Sequence, residues 1–245
     1  NKNFNNMIIR LKKQQDKLLI TERYSAWESV ARKLAHEIKN PLTPIQLSID
    51  RLQEKFHKQI VEGQDEFKNY LSTINRQIKD IENLVNEFSS FARMPSPIFK
   101  KIKVDPVVQR AVDFYKMFST NEIYLTSKNG KFINGDEEQL YRVFINLIKN
   151  SEDSIIEKKE KNKLFKGKIN IEINDNNDYI KILLVDNGTG IKDISKIMTP
   201  YFTTKIDGTG LGLPIVSKII NEHKGEMTIS NNNPGTNVII LLPKL

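Results

Sequence analysis

The chain has 245 residues, 38% of them apolar and 28% charged, a composition that supports packed domains and excludes a disordered chain. It has no cysteine, which rules out disulfides, zinc knuckles and thiolate catalysis, and only three histidines, too few for most His-rich metal sites. Lys and Arg outnumber Asp and Glu by 38 to 30, a net charge of +8, and no apolar run approaches the ~20 residues of a bilayer span.

No signal peptide is recognisable, and a start on Asn1 leads us to expect a piece of a longer chain. In residues 1–20, Phe4, Met7, Leu11 and Leu18 are spaced 3, 4 and 7, the rhythm of a helix entering from an upstream signalling segment. Lys2, Arg10, Lys12, Lys13 and Lys17 face only Asp16 there. That asymmetry suits an anionic inner leaflet and equally a solvated helix face. Apolar residues then recur at Trp27, Val30, Leu34, Ile38, Leu42, Ile45, Ile49, Leu52 and Phe56, and again at Phe67, Leu71, Ile74, Ile78, Ile81, Leu84 or Val85, Phe88 and Phe91. Steps of 3 and 4 predict two amphipathic helices in residues 21–94, turning in the polar stretch 57–66. Two long helices bury only one stripe against each other, so an antiparallel hairpin completing a dimeric four-helix bundle is the expected form.

Composition changes near Pro95 and Pro97: ten of the eleven glycines follow. Residues 95–103 read as a linker and natural hinge, with a weak strand alternation at Ile98, Lys100, Ile102 and Val104. An α+β domain is expected over 104–245. Asp105-Pro106 reads as an N-cap and first helical residue of a helix to about 118. A strand is expected at 123–127, and a helix opens at Asp136 with Gln139 as a capping box and runs to about 156. The charged run 157–168 reads as a loop or frayed helix end. Strands at 169–173 and 179–185 form one hairpin, and strands at 227–230 and 237–242 another. Between them a helix opens at Leu213-Pro214 and ends at His223-Lys224-Gly225, where His223 is expected as a C-terminal cation. His57 is expected in a turn.

Three groups in the second domain carry chemistry. Asn146 and Asn150, four apart, share a helix face; their amide oxygens suit Mg²⁺, or they are surface polar residues. Asp186-Asn187-Gly188-Thr189-Gly190 ends an apolar strand: either a plain turn, or a carboxylate that accepts from an exocyclic amine such as adenine's. Gly208-Thr209-Gly210-Leu211-Gly212-Leu213 opens a helix whose N–H groups can receive phosphate. Thr203, Thr204 and Lys205 lie just before it. No Gly-Lys-Ser/Thr follows, so it is not a Walker A loop, and no strand precedes it, which argues against a dinucleotide fold.

In this order, N-x-x-x-N, D-x-G-x-G, P-Y-F-T-T-K and G-T-G-L-G-L resemble the N, G1, F and G2 boxes of the histidine-kinase catalytic domain. The resemblance implies an α/β sandwich that binds Mg·ATP under a mobile lid. It implies that Asn150 holds Mg²⁺, Asn146 lines the polyphosphate, and Asp186 reads adenine. Gly188 and Gly190 would then shape the pocket, and Gly208, Gly210 and Gly212 would hold lid and phosphates. Ser151 stands where Ala is common, and Met198-Thr199 replaces a frequent Phe-Glu.

Gyrase B, MutL and heat-shock chaperones share related ATP boxes, so this half alone does not fix function. Ala35-His36-Glu37-Ile38-Lys39-Asn40-Pro41-Leu42 matches the histidine-kinase H box. His36 points away from the predicted buried stripe and can offer Nε2 to a γ-phosphorus, while Glu37 can take the released proton. Asn40, one turn on, can orient a water for removing a phosphoryl group from a partner. Pro41 and Pro44 would each cost about 3 kcal/mol in an ordinary helix interior, yet the apolar rhythm continues, so one kinked helix is expected. The residues around the H box, with Glu87-Phe88-Ser89-Ser90-Phe91-Ala92-Arg93-Met94-Pro95, are similar to NtrY-type nitrogen-regulation sensor kinases. Phe4-Asn5-Asn6-Met7 is similar to the tail of a HAMP relay module.

The resemblance implies the homodimeric core of a sensor kinase, held at the cytoplasmic side of a bacterial inner membrane through segments upstream. It also implies phosphotransfer to the receiver domain of a response regulator of the sigma-factor-activator type, and phosphatase activity toward it. The rival reading is an ATP-binding scaffold without autokinase activity. A nucleic-acid partner is not expected, because no basic recognition helix with helix-turn-helix spacing is present.

Overall fold

The computed structural model describes residues 35, 37–56, 60, 62–92, 96–127, 132–205 and 208–245. The expected upstream helix, His36, His57 and the turn at 128–130 lie outside the described residues. The chain divides into two compact units, Asn1–Pro95 and Ser96–Leu245.

In the first unit α1 is helical at 37–56 and continues through Pro41 and Pro44, and α2 spans Gln64–Ala92. Gly63, at φ 75°, precedes α2. Ile49, Leu71 and Ile78 are buried together, with Leu42 and Phe67 packed on them. Gln46 donates to Asn75 Oδ1 across the pair at 3.1 Å. The apolar stripe predicted as one face divides in two. Ile38, Ile45 and Leu52 on α1, and Ile74 and Ile81 on α2, are 37–46% exposed. Their seven-residue spacing marks a second seam that the hairpin leaves uncovered.

The second unit joins two sheets and three helices. β1 (Lys100–Lys103) and β3 (Phe132–Gly135) pair antiparallel, with the Lys101 and Lys103 ammonium groups 4.6 and 5.4 Å from the Phe132 ring centre. The alternation read as a weak signal inside a linker is thus a paired strand of this unit. The main sheet has the order β2-β4-β5-β7-β6, from β2 (Glu122–Ser127), β4 (Lys168–Asp175), β5 (Tyr179–Asp186), β6 (Glu226–Asn231) and β7 (Thr236–Pro243). β2 runs parallel to β4 and the other pairs are antiparallel, so the sheet is mixed. Alternate residues on one face are buried: Ile169, Ile171 and Ile173 on β4; Ile180, Ile182 and Leu184 on β5; Val238, Ile240 and Leu242 on β7. Opposite them, α3 (Val104–Lys116), α4 (Glu137–Lys161) and α5 (Gly212–Glu222) supply the rest of the core, including the fully buried Phe144 and Ile148.

Asp136 caps α4 as its spacing predicts, accepting from Gln139 N–H at 3.0 Å. α4 then continues to Lys161, into the charged run expected to be loop or frayed helix end, because Ile155 is still buried and Lys158 has partners in the turn after β5. Asp105 is not the N-cap of α3. Lys103 occupies that position without a side-chain cap, and Asp105 lies in the first turn, where its charge suits the helix dipole.

His223 corrects a second expectation. It is 3% exposed. Its Nδ1 lies 2.8 Å from the Ile219 carbonyl, and its Nε2 accepts from the Asp136 N–H at 2.9 Å. An accepting Nε2 requires the neutral tautomer with the proton on Nδ1. Burial pushes the pKa of His223 down, against weaker opposing effects of the Ile219 carbonyl and the Asp136 carboxylate. The ring is a neutral core strut, packed edge-on against Phe99 at 5.2 Å, rather than a terminal cation.

Candidate functional site: a nucleotide pocket on α4

Asp186 is the last residue of β5 and follows Ile182 and Leu184 in the inward alternation, so a carboxylate stands where the core pattern calls for an apolar group. It is 4% exposed and well hydrogen-bonded. Oδ1 accepts from Gly188 N–H at 2.9 Å and Thr236 N–H at 3.3 Å, and Oδ2 accepts from the Ser151 hydroxyl at 3.2 Å. Burial pushes its pKa up, and these donors hold it back. An ionised carboxylate is acceptor-only, so Asp186 suits an outside donor such as an exocyclic amine.

The turn after Asp186 is gripped from three sides. Asn187 reaches back to β4, with Oδ1 accepting from Lys168 N–H at 2.8 Å and Nδ2 donating to the Lys166 carbonyl at 2.9 Å. Asn231 brackets Ile191, accepting from its N–H at 2.7 Å and donating to its carbonyl at 2.8 Å. α4 holds the third side: Ser154 Oγ accepts from Thr189 N–H at 2.9 Å. Lys158 Nζ donates to the carbonyls of Asn187 and Gly188 at 2.7 and 2.9 Å, with its ammonium 4.5 Å from the Phe165 ring centre. Gly188 permits this approach, since a Cβ there would run into Ser154.

Asn146 and Asn150 are half-exposed on one side of α4. Asn146 Nδ2 donates to the Arg142 carbonyl at 2.8 Å, which fixes the amide. A Cβ on Gly212 would stand 3.2 Å from Asn146 Oδ1, so the glycine lets the start of α5 approach the asparagines. The N-cap of α5, Leu211, offers no side-chain cap, which leaves its first-turn N–H groups as donors for an anion. Carbonyl oxygens from Asn146 and Asn150 beside these donors suit a hard cation that brings a polyphosphate with it.

The segment from Tyr201 to Gly210 closes on itself. Tyr201 N–H donates to the Gly210 carbonyl at 3.1 Å, and both residues have φ of 67°. Within it Thr203 and Thr204 are exposed, and Thr203 Oγ1 accepts from Lys205 N–H at 3.1 Å. Gly208 packs on the Thr203 hydroxyl, and Gly208 N–H donates to the Lys205 carbonyl at 3.3 Å. Thr209 is half-exposed and Leu211 is buried, anchoring the segment's end. Lys205 Nζ reaches back to α4, donating to Asp153 Oδ2 at 2.7 Å and to Asn150 Oδ1 at 3.2 Å.

The structure therefore brings Asn146, Asn150, Asp186, Gly188, Lys205 and Gly212 together along one side of α4, with Gly190 and Gly208 to Leu211 in the adjoining turns. Glu37 and Asn40 belong to the other unit, both exposed on α1. Sequence reasoning missed Ser151, Asp153, Ser154, Lys158 and Thr236. A signal for part of this set was present. Asn146, Asn150, Ser154 and Lys158 follow each other at four-residue steps, a polar row along a helix whose other side is core.

Residues 26–97 match the family model for the His Kinase A (phospho-acceptor) domain. Residues 135–245 match that for the histidine kinase-, DNA gyrase B- and HSP90-like ATPase. The chain is 42% identical over 232 residues, 93% of its length, to an NtrY-like sensor histidine kinase of Rickettsia felis, and covers 38% of that protein. It is 37% identical over 229 residues to the nitrogen regulation protein NtrY of Azorhizobium caulinodans, covering 92% of this chain and 29% of that one. The chain thus spans well under half the length of these relatives. Among solved structures, the histidine kinase ThkA in complex with the response regulator TrrA superimposes with a TM-score of 0.63 at 22% identity, over 96% of this chain and 67% of that one. The isolated ThkA catalytic domain superimposes with a TM-score of 0.52 at 26% identity, over 60% of this chain and 95% of that one. With a phospho-acceptor domain followed by a kinase-type ATPase domain, and NtrY-type relatives along nearly its whole length, the chain belongs to the sensor histidine kinases of NtrY type.

Proposed function

We propose that the chain is the autokinase core of its sensor kinase: it binds Mg·ATP in the second unit and transfers the γ-phosphoryl group to Nε2 of His36. The observation that carries this reading is the buried, donor-anchored Asp186 carboxylate opposite the Asn146–Asn150 face and the uncapped start of α5. Asp186 accepts from the adenine amine; guanine presents a carbonyl at that edge and would leave the carboxylate unpaired. The N–H groups of Gly210 to Gly212 and the Lys205 ammonium take the polyphosphate, and Asn150 Oδ1 takes the cation, with Asn146 beside it. Mg²⁺, when bound, neutralises phosphate charge and fixes the geometry of the transferred group. Thr203, Thr204, Gly208 and Thr209 form the lid that excludes water.

Phosphoryl transfer forms the bond from imidazole Nε2 to phosphorus and breaks the bond to the β,γ-bridging oxygen, leaving ADP. The imidazole Nδ1 proton is lost to Glu37, the neighbouring carboxylate. The phosphoryl group then passes to an Asp of a receiver domain, here proposed to be of the sigma-factor-activator type. Asn40 orients a water for the reverse, phosphatase, reaction. The core is homodimeric through the uncovered stripe of Ile38, Ile45, Leu52, Ile74 and Ile81. Among the described residues no helix is long and apolar enough to cross a membrane, so attachment to the inner membrane is assigned to other segments of the parent protein. Segments 1–20 and 21–94 serve as signalling helix and phosphotransfer domain, and the ATP-binding domain includes β1, which was expected within a linker over 95–103.

Incubation with γ-labelled ATP and Mg²⁺ tests the reading. A base-stable, acid-labile label that is absent from His36→Gln supports it. An unmutated chain that binds ATP but stays unlabelled favours the scaffold.

A further inference from the structure

Lys205 and Asp153 stand out because, though partly exposed, they pair with each other across to α4 beside Asn150. The ammonium is 2.7 Å from Asp153 Oδ2 and 3.2 Å from Asn150 Oδ1, so it occupies the oxygen proposed above as the cation ligand. Two positive charges do not share that oxygen. Like charges at hydrogen-bond range of one oxygen repel, and a divalent cation repels an ammonium twice as strongly as a monovalent one does. Lys205 must therefore leave Asn150 before a divalent cation arrives. Asp153 is three residues beyond Asn150 on α4, hence on the same side, one turn away. Once Lys205 has gone, its carboxylate is an unpaired acceptor beside the cation position. Mg²⁺ keeps several of its waters, and water hydrogens are donors of the kind a carboxylate accepts.

We propose that Lys205 and Asp153 form a partner-exchange latch, which makes Asp153 a residue that sets the Mg²⁺ dependence of nucleotide binding. Without nucleotide the pair ties the segment from Tyr201 to Gly210 to α4 and keeps cations off Asn150. With Mg·nucleotide the ammonium moves to the polyphosphate and the carboxylate accepts from the cation's water. Polyphosphate and cation then release the latch together: each supplies the partner that one half of the pair loses. Nucleotide without metal pulls Lys205 off and leaves Asp153 uncompensated near phosphate charge, so binding without metal is penalised. Asp153 acts through Lys205 and through water, as a positioning residue. The inference rests on the nucleotide-site reading given above.

The test is calorimetric titration of the full chain with ATP at fixed ionic strength, once in EDTA and once in excess Mg²⁺. Asp153→Asn frees Lys205 and removes the penalty. Affinity in EDTA is expected to rise about two- to fivefold, the range for a partly exposed ion pair. The gain from adding Mg²⁺ is expected to shrink by at least that factor, and Asp153→Glu to restore it. In a Lys205→Met background Asp153→Asn is expected to lose the part of its effect that comes from freeing Lys205 and to keep the part that comes from relieving repulsion with phosphate. An unchanged ratio of the two affinities in Asp153→Asn, or equal weakening in both buffers, overturns the latch and leaves the nucleotide site standing. Absence of ATP binding by the unmutated chain in both buffers overturns the site reading and the latch with it.

Discussion

The two units solve the burial problem in opposite ways. The second unit covers one face of a five-stranded sheet with three helices, and residues from β4, β5, β7, α3, α4 and α5 form its core. Its polar site is built on that core, with Asp186 at an inward position of a central strand and the asparagines on a helix whose other side is fully buried. The first unit buries Ile49, Leu71 and Ile78 along one seam and leaves a second seam of similar length exposed. A rigid site needs a self-sufficient scaffold, whereas a hairpin with an uncovered apolar seam suits the proposed pairing with another copy. Binding chemistry and dependence on a partner are thus placed in separate parts of one chain.

The largest effect separates the units by stability. Phe144→Ala leaves a cavity in the second unit and is expected to cost about 3–5 kcal/mol there. In a denaturant titration the transition of the second unit moves while that of α1 and α2 stays. Joint movement would show that the two regions unfold as one body and break the comparison.

Ile45→Glu combined with Ile81→Glu strikes the uncovered seam. Each buried large apolar side chain is worth about 1.5–3 kcal/mol, lost twice per dimer. Sedimentation is expected to show monomers with reduced helicity and unchanged ATP affinity. A persisting dimer means that copies meet elsewhere.

Asp186→Asn removes the charge proposed to accept from adenine. A hydrogen bond to a charged group is worth about 1.5–3 kcal/mol, so ATP binds roughly ten- to a hundredfold more weakly, with dimerisation unaffected. Lys158→Met removes two donors from the turn and is expected to cost about 1 kcal/mol of ATP affinity, raising KM more than it lowers kcat. Lys158→Arg recovers part of the loss, an outcome that a general folding defect would not give.

The smallest effect is a pH dependence. The pKa of His223 is lowered in the folded chain from 6.5, so the unfolded chain binds the proton more tightly. Its contribution to stability is complete above about pH 6.5 and is lost as pH falls through the depressed folded value. His223→Gln is expected to flatten the acid side of the second unit's stability profile and leave α1 and α2 unchanged.

Much of this was legible in the residues. Period-two alternation located β4, β5 and β7 because their inward positions are almost all Ile, Leu or Val, and the capping box fixed the start of α4 to the residue. The glycine-rich boxes marked close backbone approaches, at Gly188 against Ser154 and at Gly212 beside Asn146, because few residue types tolerate an approach that close. β3 was missed because four residues flanked by charged and glycine positions carry too little pattern. The split of the α1 stripe was missed because a wide apolar face serves one seam or two, and only packing decides which. His223 was misread because the position after a helix favours cations, while a packed ring and the Asp136 N–H, 87 residues away in sequence, favour a neutral acceptor. Lys158 ends a four-step polar row that runs into a charged stretch read as loop or frayed helix, and Asp153 lies off that row, where spacing does not single it out.

The central claim joins the pocket of one unit to a histidine of the other, and locating the phosphoryl group tests it most directly. The full chain is incubated with Mg·ATP, digested with trypsin at alkaline pH and mapped by mass spectrometry. The account predicts phosphate on the peptide spanning residues 34–39, at His36, and none when Asn150 is replaced by Asp. Phosphate on a Ser, Thr or other His instead, or an unmodified 34–39 peptide from a chain that binds Mg·ATP, would contradict it.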